Sequence, residues 1–340
     1  MALPELHSLE DILGIIAELP DADTAAISAA DAREPQLTKP AGSLGKLEEI
    51  SQWLCGWQGT HPPRLDRMAV HIFAGNHGIT AQGVSAFPSE VTIQMVGNFE
   101  AGGAAINQLC KVHGANLKVF PIELDTPTAD FSLRPAMEPA ELVTAFRAGW
   151  DTVSADLDLL CIGEMGIGNT SAAAAIAHAI YHGSAAEWTG PGTGVSGQEL
   201  DHKAAVIAMA VEDHRAGMNT GIDILRHVGG RELAAMAGAI TAARLLRVPV
   251  VLDGYVATAA AACLAMCNPK ALDHCWAGHV SREPGHRKLL ERLGMIPLLD
   301  LDMRLGEGSG AAVAIGIIRS AVACHNGMST FAEAGVTDKD

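Results

Sequence analysis

The sequence predicts an α/β fold, a mostly parallel sheet covered by helices on both faces. Short apolar runs alternate with helical patterns along most of the chain, and the runs are continuously apolar rather than alternating, as strands buried on two sides are. Four of the runs also end directly in a polar segment containing glycine, the pattern expected when one end of a sheet carries a site.

The first sixty residues predict one or two helices around the loop Leu37–Gly45 and no strand. They are expected to form a small helical domain over 1–60, which later helices can complete. A large α/β domain over 61–325 and a polar tail over 326–340 follow. The predicted strands are Met68–Ala74, Leu117–Ile122, Leu157–Ile162, Val248–Leu252 and Met295–Leu299. The predicted helices are Glu90–Val112, Ala140–Ser154, Ser171–Tyr181, Leu200–Ala216, Arg231–Leu246, Tyr255–Cys267 and Gly310–His325.

Composition narrows the function. With 49% hydrophobic residues in 340, the chain has ample material for a large core. A formal net charge of -16 repels a nucleic-acid backbone, and 4% aromatics leaves little for base stacking, so nucleic acid is not expected as a partner. Seven scattered cysteines, with no C-x-x-C pair, read as reduced thiols of a cytoplasmic protein. The N-terminus lacks the basic stretch of a secretory signal, and Ala-rich runs such as Val256–Cys267 are too short to span a bilayer, so no membrane partner is expected.

Two glycine-rich loops are candidate anion sites. In Thr189–Gly197, glycines allow close backbone approach, a helix begins near Glu199, and Lys203 follows about one turn in. Free amides, a helix N-terminus and an ammonium together suit a phosphate, although an ordinary surface turn accounts for the loop alone equally well. The spacing G-x-G-x-x-G at Gly192, Gly194 and Gly197 is not a dinucleotide fingerprint, because no buried strand precedes it. In Gly166-Ile167-Gly168-Asn169-Thr170-Ser171, a hydroxyl can serve as a helix N-cap or as a second set of donors to the same phosphate. Two such loops in one chain favour the functional reading.

Glu164 and Glu307 each follow an apolar run and are flanked by glycine. Most glutamates are solvated surface charges. One between glycines is free to approach a ligand, and its surroundings can raise its pKa toward that of a general base. His77 follows a strand end and is either a site residue or a hydrogen-bonded structural histidine. His274, Cys275, His279 and His286 have spacings that match no common zinc pattern, so structural roles are expected and no metal site is assigned. The chain also lacks a Walker motif and the paired acids followed by Thr-Gly that serve phosphoribosyl pyrophosphate.

Eight strings then carry a resemblance: LTKPAGSLGKLE (Leu37–Glu48), AGNHGIT (Ala74–Thr80), GVSAFPSEVTIQMVGNFEAGGAAIN (Gly83–Asn107), GEMGIGNTS (Gly163–Ser171), GPGTG (Gly190–Gly194), LDGY (Leu252–Tyr255), GHVSREPGH (Gly278–His286) and LDMRLGEGSGAA (Leu301–Ala312). In this order and spacing the chain resembles the nicotinate-nucleotide-dimethylbenzimidazole phosphoribosyltransferase family. Asn76, Ser171 and Ser309 stand where that family often has Asp, Thr and Thr.

The resemblance implies a Rossmann-like large domain with a small helical domain, in a homodimer whose neighbouring subunit contributes to the site. It implies transfer of phosphoribose from nicotinate mononucleotide to a benzimidazole base, both small molecules, with no cofactor. It makes Glu307 the catalytic base and Glu164 a second carboxylate of the site. Phosphate contacts fall on Gly166, Gly168, Asn169, Thr170, Ser171, Gly192, Thr193, Gly194 and Lys203. The base pocket falls near Ser85, Phe87, Gln94, Met95 and Leu305. The alternatives are a related transferase with another base, a phenol or water as acceptor, and a non-catalytic nucleotide-binding protein. The latter is expected to lose Glu307 while keeping the loops. An NAD-binding oxidoreductase ranks third, because the fingerprint is missing.

Overall fold

A computed structural model describes residues 3–337. Five strands, β1 (Met68–Ala74), β2 (Asn116–Pro121), β3 (Leu159–Met165), β4 (Val250–Leu252) and β5 (Cys275–Ala277), form one sheet in the order β2-β1-β3-β4-β5, and every pair is parallel.

Side-chain alternation divides the sheet between two cores. Ala69 and Phe73 of β1, Leu160 and Ile162 of β3, and Val250 and Leu252 of β4 join one core. Helices Pro139–Trp150, Asn169–Tyr181, Arg231–Leu245 and Tyr255–Cys267 supply its other side. Val70 and Ile72, Leu159 and Cys161, and Val251 face the other core, closed by helices Lys46–Gln58, Ala105–His113 and Ser309–Gly327. Arg231–Leu245 is buried on nearly every side, and its contact with Pro139–Trp150 is set by small residues. A Cβ at Gly149 would lie 1.7 Å from the Ala235 carbonyl oxygen, and one at Gly238 would lie 2.0 Å from that of Phe146, so only glycine permits this approach.

Two expectations need correction. Met295–Leu299 is not a strand of the sheet. Pro297 removes a ladder donor there, and only Leu299 forms an isolated bridge, to His279. The fifth strand is instead Cys275–Ala277, three residues inside what the sequence presented as a histidine cluster. The single helix expected over Glu90–Val112 is two, Glu90–Ala101 and Ala105–His113, because Gly102 turns left-handed at φ 79° and ends the first.

Before the first strand lie helices Leu9–Ala17, Thr24–Arg33 and Lys46–Gln58. Ile12 and Ile16 of the first are buried in the same core as the sheet. Of residues 326–340, those described continue the last long helix to Gly327 and add a bridge from Thr330 to Leu37 and the short helix Phe331–Ala334. Among the described residues no helix is long and apolar enough to cross a membrane.

Candidate active site

The strand order reverses between β1 and β3, and the segments leaving the carboxyl ends of β1, β3, β4 and β5 converge there. Doubly wound sheets open a ligand crevice at such a switch point. Here it is a cleft of about 390 Å³, walled by Phe87, Val91 and Met95 after β1, Glu164 at the end of β3 with Gly166, Asn169 and Thr170 after it, Gly254–Val256 after β4, His279, Ser281 and Glu283 after β5, and Arg304–Glu307.

Glu307 owes its position to backbone conformation. Gly306, Glu307 and Gly308 are all left-handed, at φ 78°, 61° and 70°. For glutamate that conformation costs on the order of 1–3 kcal/mol and persists only where the surroundings hold it. Asp253, directly after β4, supplies the hold. Its buried carboxylate accepts from the Gly308 N–H at 3.1 Å, the Gly310 N–H at 2.7 Å and the Ala311 N–H at 3.0 Å, which also satisfies the start of helix Ser309–Gly327. The Glu307 N–H donates to the Glu164 carbonyl at 3.2 Å. A Cβ at Gly163 would lie 2.2 Å from the Gly308 nitrogen, so the end of β3 and the Glu307 loop touch backbone to backbone.

The two singled-out glutamates therefore line one cleft. Burial, and after it the neighbouring Asp253, push the Glu307 carboxyl up to about 7. Glu164 is half-buried and takes a hydrogen bond from the Asn169 side-chain amide. Burial first, then the charges of Asp253 and Glu232, push its carboxyl well above the ordinary range, against the pull of Asn169.

His77 stands behind this arrangement and does not line the cleft. Its Nε2 pairs with Glu232 Oε1 at 2.5 Å, both side chains fully buried, and Glu232 lies against Gly75 and Gly166. His274 and His286 also have protein partners, whereas buried His279 lines the cleft with neither ring nitrogen hydrogen-bonded among the described residues, its Nε2 lying 3.7 Å from the Asp253 carboxylate. His274 Nε2 meets the Ile240 carbonyl at 2.9 Å. His286 Nδ1 accepts from the Ser281 N–H at 2.7 Å, and its Nε2 lies 3.0 Å from the Thr258 hydroxyl. Among the described residues no three of His, Cys, Asp and Glu are grouped to hold a metal ion.

At the far end of the cleft, buried Lys203 donates to the Thr170 hydroxyl at 2.9 Å and the Gly190 carbonyl at 3.0 Å. Burial lowers its ammonium to about 8, with Glu283 opposing. The two glycine-rich loops are thus stitched together by one lysine. Gly166, Asn169, Thr170, Gly192 and Thr193 line the cleft. Gly168 instead backs onto Thr80 and His77, Ser171 is buried with its hydroxyl unpartnered, and Gly194 lies outside the cleft wall. Phe87, Met95 and Leu305 line the opposite end, with Phe87 and Leu305 about half exposed. Ser85 meets the Thr193 hydroxyl at 3.1 Å, while Gln94 points outward, exposed, and is not part of the wall.

Comparison with known proteins agrees with this architecture. A family model described as phosphoribosyltransferase matches residues 19–336. The nicotinate-nucleotide–dimethylbenzimidazole phosphoribosyltransferase of Ruegeria sp. (strain TM1040) is 56% identical over 99% of each chain. The enzyme of that name from Cereibacter sphaeroides (strain ATCC 17025 / ATH 2.4.3) is 57% identical over 97% of this chain and 98% of its own. The chain belongs to the nicotinate-nucleotide–dimethylbenzimidazole phosphoribosyltransferase family. The crystal structure of CobT from Thermus thermophilus superposes with a TM-score of 0.87 at 41% identity, covering 93% of this chain and 100% of that one.

For a member of this family, sequence reasoning left part of the cleft unnamed. Asp253, Tyr255, His279, Ser281, Glu283 and Arg304 hold or line it. Ser281 and Glu283 follow β5, and the failure to recognise that strand hid them. Asp253 is visible in the sequence as the acid that ends an apolar run, in the string LDGY, but nothing local shows that it holds the Glu307 loop.

Proposed function

We propose that this chain transfers the 5-phosphoribosyl group of nicotinate mononucleotide to 5,6-dimethylbenzimidazole. The products are nicotinate and α-ribazole 5'-phosphate, the nucleotide of the lower ligand of cobalamin. The observation that carries the reading is that Glu307 and Glu164 line the same cleft as the two glycine loops that Lys203 joins.

The donor's ring nitrogen is a cationic pyridinium that takes the glycosidic electron pair and leaves, with a neutral ring, as the nicotinate anion, so it needs no proton and no metal at the leaving group. Its positive charge lowers the cost of ionising Glu164, whose carboxyl is pushed well above the ordinary range by burial and then by the charges of Asp253 and Glu232. Ionised Glu164 then faces the oxocarbenium character that develops at the anomeric carbon. The imine-type nitrogen of the benzimidazole attacks from the opposite side, and the other ring N–H becomes acidic. Glu307, poised near 7, accepts that proton. Attack opposite the leaving group inverts the anomeric carbon. Lys203, Thr170 and the Gly192–Thr193 backbone hold the spectator phosphate, whose binding positions the sugar.

The reading includes a cytoplasmic homodimer in which the neighbouring subunit completes the site. The apolar side chains Phe87 and Leu305, half exposed at the mouth, are surfaces that such a neighbour or the base would cover. Incubation with nicotinate mononucleotide and a panel of benzimidazoles, purines and phenols, followed by mass analysis, tests the acceptor. Preferential conversion of 5,6-dimethylbenzimidazole is expected, and preferential conversion of a purine or a phenol would move the chain to another acceptor class. Turnover is expected to survive exhaustive EDTA treatment.

A further inference from the structure

Glu283 lies in the wall of the anion cradle. Its carboxyl is buried, and Oε1 accepts the Gly192 N–H at 3.1 Å, one of the amides that the proposed function assigns to the phosphate. Oε2 is buried without any partner, packed against Gly190 so closely that a Cβ there would fall 1.9 Å away. The carboxyl is faced by the Lys203 ammonium from helix Gln198–His214, by Arg304, which donates to the Gly192 carbonyl at 3.3 Å, and by the Tyr255 hydroxyl, which itself donates to the Trp188 carbonyl. On its own segment, the His286 ring is occupied by Ser281 and Thr258.

An ionised carboxylate and a phosphate both only accept hydrogen bonds, and they repel. Placing both against one lysine in a buried wall leaves an uncompensated negative charge. Protonating the carboxyl removes that charge and turns the repulsion into a hydrogen bond, as neutral carboxylic acids do at other buried sites. The phosphate then takes the Gly192 amide, and the carboxyl oxygen released from it can carry the proton.

Building on the phosphate assignment above, we propose that Glu283 stands as a neutral carboxylic acid in the donor-bound enzyme and donates a hydrogen bond to the phosphate. In the empty site the same group, ionised, offsets the buried charge of Lys203. Glu283 is thus a positioning and specificity residue that couples donor affinity to pH. Burial raises its carboxyl above the ordinary range against the pull of Lys203, which eases the proton's uptake.

The test compares the wild type with Glu283→Gln, whose amide keeps an acceptor for Gly192 and adds N–H donors. Infrared difference spectra are recorded with saturating nicotinate mononucleotide at mildly alkaline pH. The donor-bound wild type minus donor-bound Glu283→Gln is expected to contain the C=O stretch of a neutral carboxylic acid, sensitive to deuterium exchange. The pH slope of calorimetric affinity for the nucleotide is expected to be more negative in the wild type than in Glu283→Gln, by up to about tenfold per pH unit, because the proton taken up by Glu283 is linked to binding only in the wild type, while a proton released by Glu164 is common to both. A difference spectrum carrying carboxylate bands instead, or equal pH slopes in the two proteins, would overturn the proposal. Lys203→Met separates the two claims. If it binds nucleotide as tightly as the wild type, the cradle assignment falls and Glu283's role with it. If it binds weakly while the carboxylic acid band is missing, only the role of Glu283 falls.

Discussion

Glu307 occupies a backbone conformation that most residues avoid, and the surroundings that hold it there also raise its carboxyl to about 7. A general base with that pKa is half ionised near neutrality, where it both accepts a proton and gives it up readily. Because the base must be ionised, kcat/KM for the benzimidazole at saturating nicotinate mononucleotide is expected to rise with pH through about 7 and then level. Glu307→Gln should lower kcat by a factor on the order of 10² or more with a smaller effect on nucleotide affinity, and should abolish that limb of the profile. Near-normal turnover by the variant with 5,6-dimethylbenzimidazole would remove Glu307 as the base. Both carboxyls were legible in the sequence because glycines flank them after apolar runs. That their segments come together in one cleft was not, since it depends on Gly163 and Gly308 meeting from segments far apart in the chain. Lys203 was legible from its distance to the glycine loop. Glu283 was not, because its neighbours Arg282 and Pro284 gave no sign that the segment leaves a strand.

At the scale of elements, the C-terminal ends of β3 and β4 and the start of helix Ser309–Gly327 act as one unit, joined by Asp253. Three backbone N–H groups converge on its carboxylate, and an amide oxygen in its place keeps only part of that set. Hydrogen bonds from backbone to a buried charged group each contribute about 1.5–3 kcal/mol, so Asp253→Asn is expected to lower unfolding free energy by about 3 kcal/mol. It should also lower kcat more than it weakens donor binding, because the loop it holds carries the base and not the phosphate cradle. Denaturant titration and steady-state kinetics check the two halves, and an unchanged kcat would mean that the Glu307 loop holds its shape without Asp253. The long strands and helices were legible from continuous apolar runs and helical periodicity. The three-residue β5 was not, being shorter than any pattern can mark and lying between His274 and His279, with a cysteine of its own, a grouping that suggested a different chemistry. Helices Gly221–Val228 and Pro284–Leu293 were passed over for a related reason, since each is short and opens at glycine or proline.

Across the whole molecule, buried Arg244 ties the N-terminal segment to the sheet domain. Its Nε donates to the Pro20 carbonyl at 2.7 Å, and the guanidinium lies 4.0 Å from the centroid of the Trp57 ring. A charged hydrogen bond together with a desolvated cation–π contact is worth about 3 kcal/mol, so Arg244→Ala should lower stability by about that amount. The folded fraction should keep its KM for the nucleotide, because Arg244 does not line the cleft. A changed KM with unchanged stability would show that the N-terminal segment acts on the site directly. Fold class was legible because a sheet buried on both faces needs continuous apolar strands, and the acidic, aromatic-poor composition already argued against nucleic acid. That one end of the sheet carries a site was legible from the glycine-containing segments after β1, β3 and β4, whereas the strand order that brings them together with the segment after β5 is set by no local pattern.

The central claim is a single inverting transfer between nicotinate mononucleotide and a benzimidazole, with Glu307 as base. The most direct measurement is the anomeric configuration of the ribotide formed from nicotinate mononucleotide and 5,6-dimethylbenzimidazole, read by nuclear magnetic resonance alongside nicotinate release. The account requires the α-ribotide alone, one equivalent for each nicotinate released. A β-ribotide, a mixture of anomers, or nicotinate released without a ribotide would contradict it.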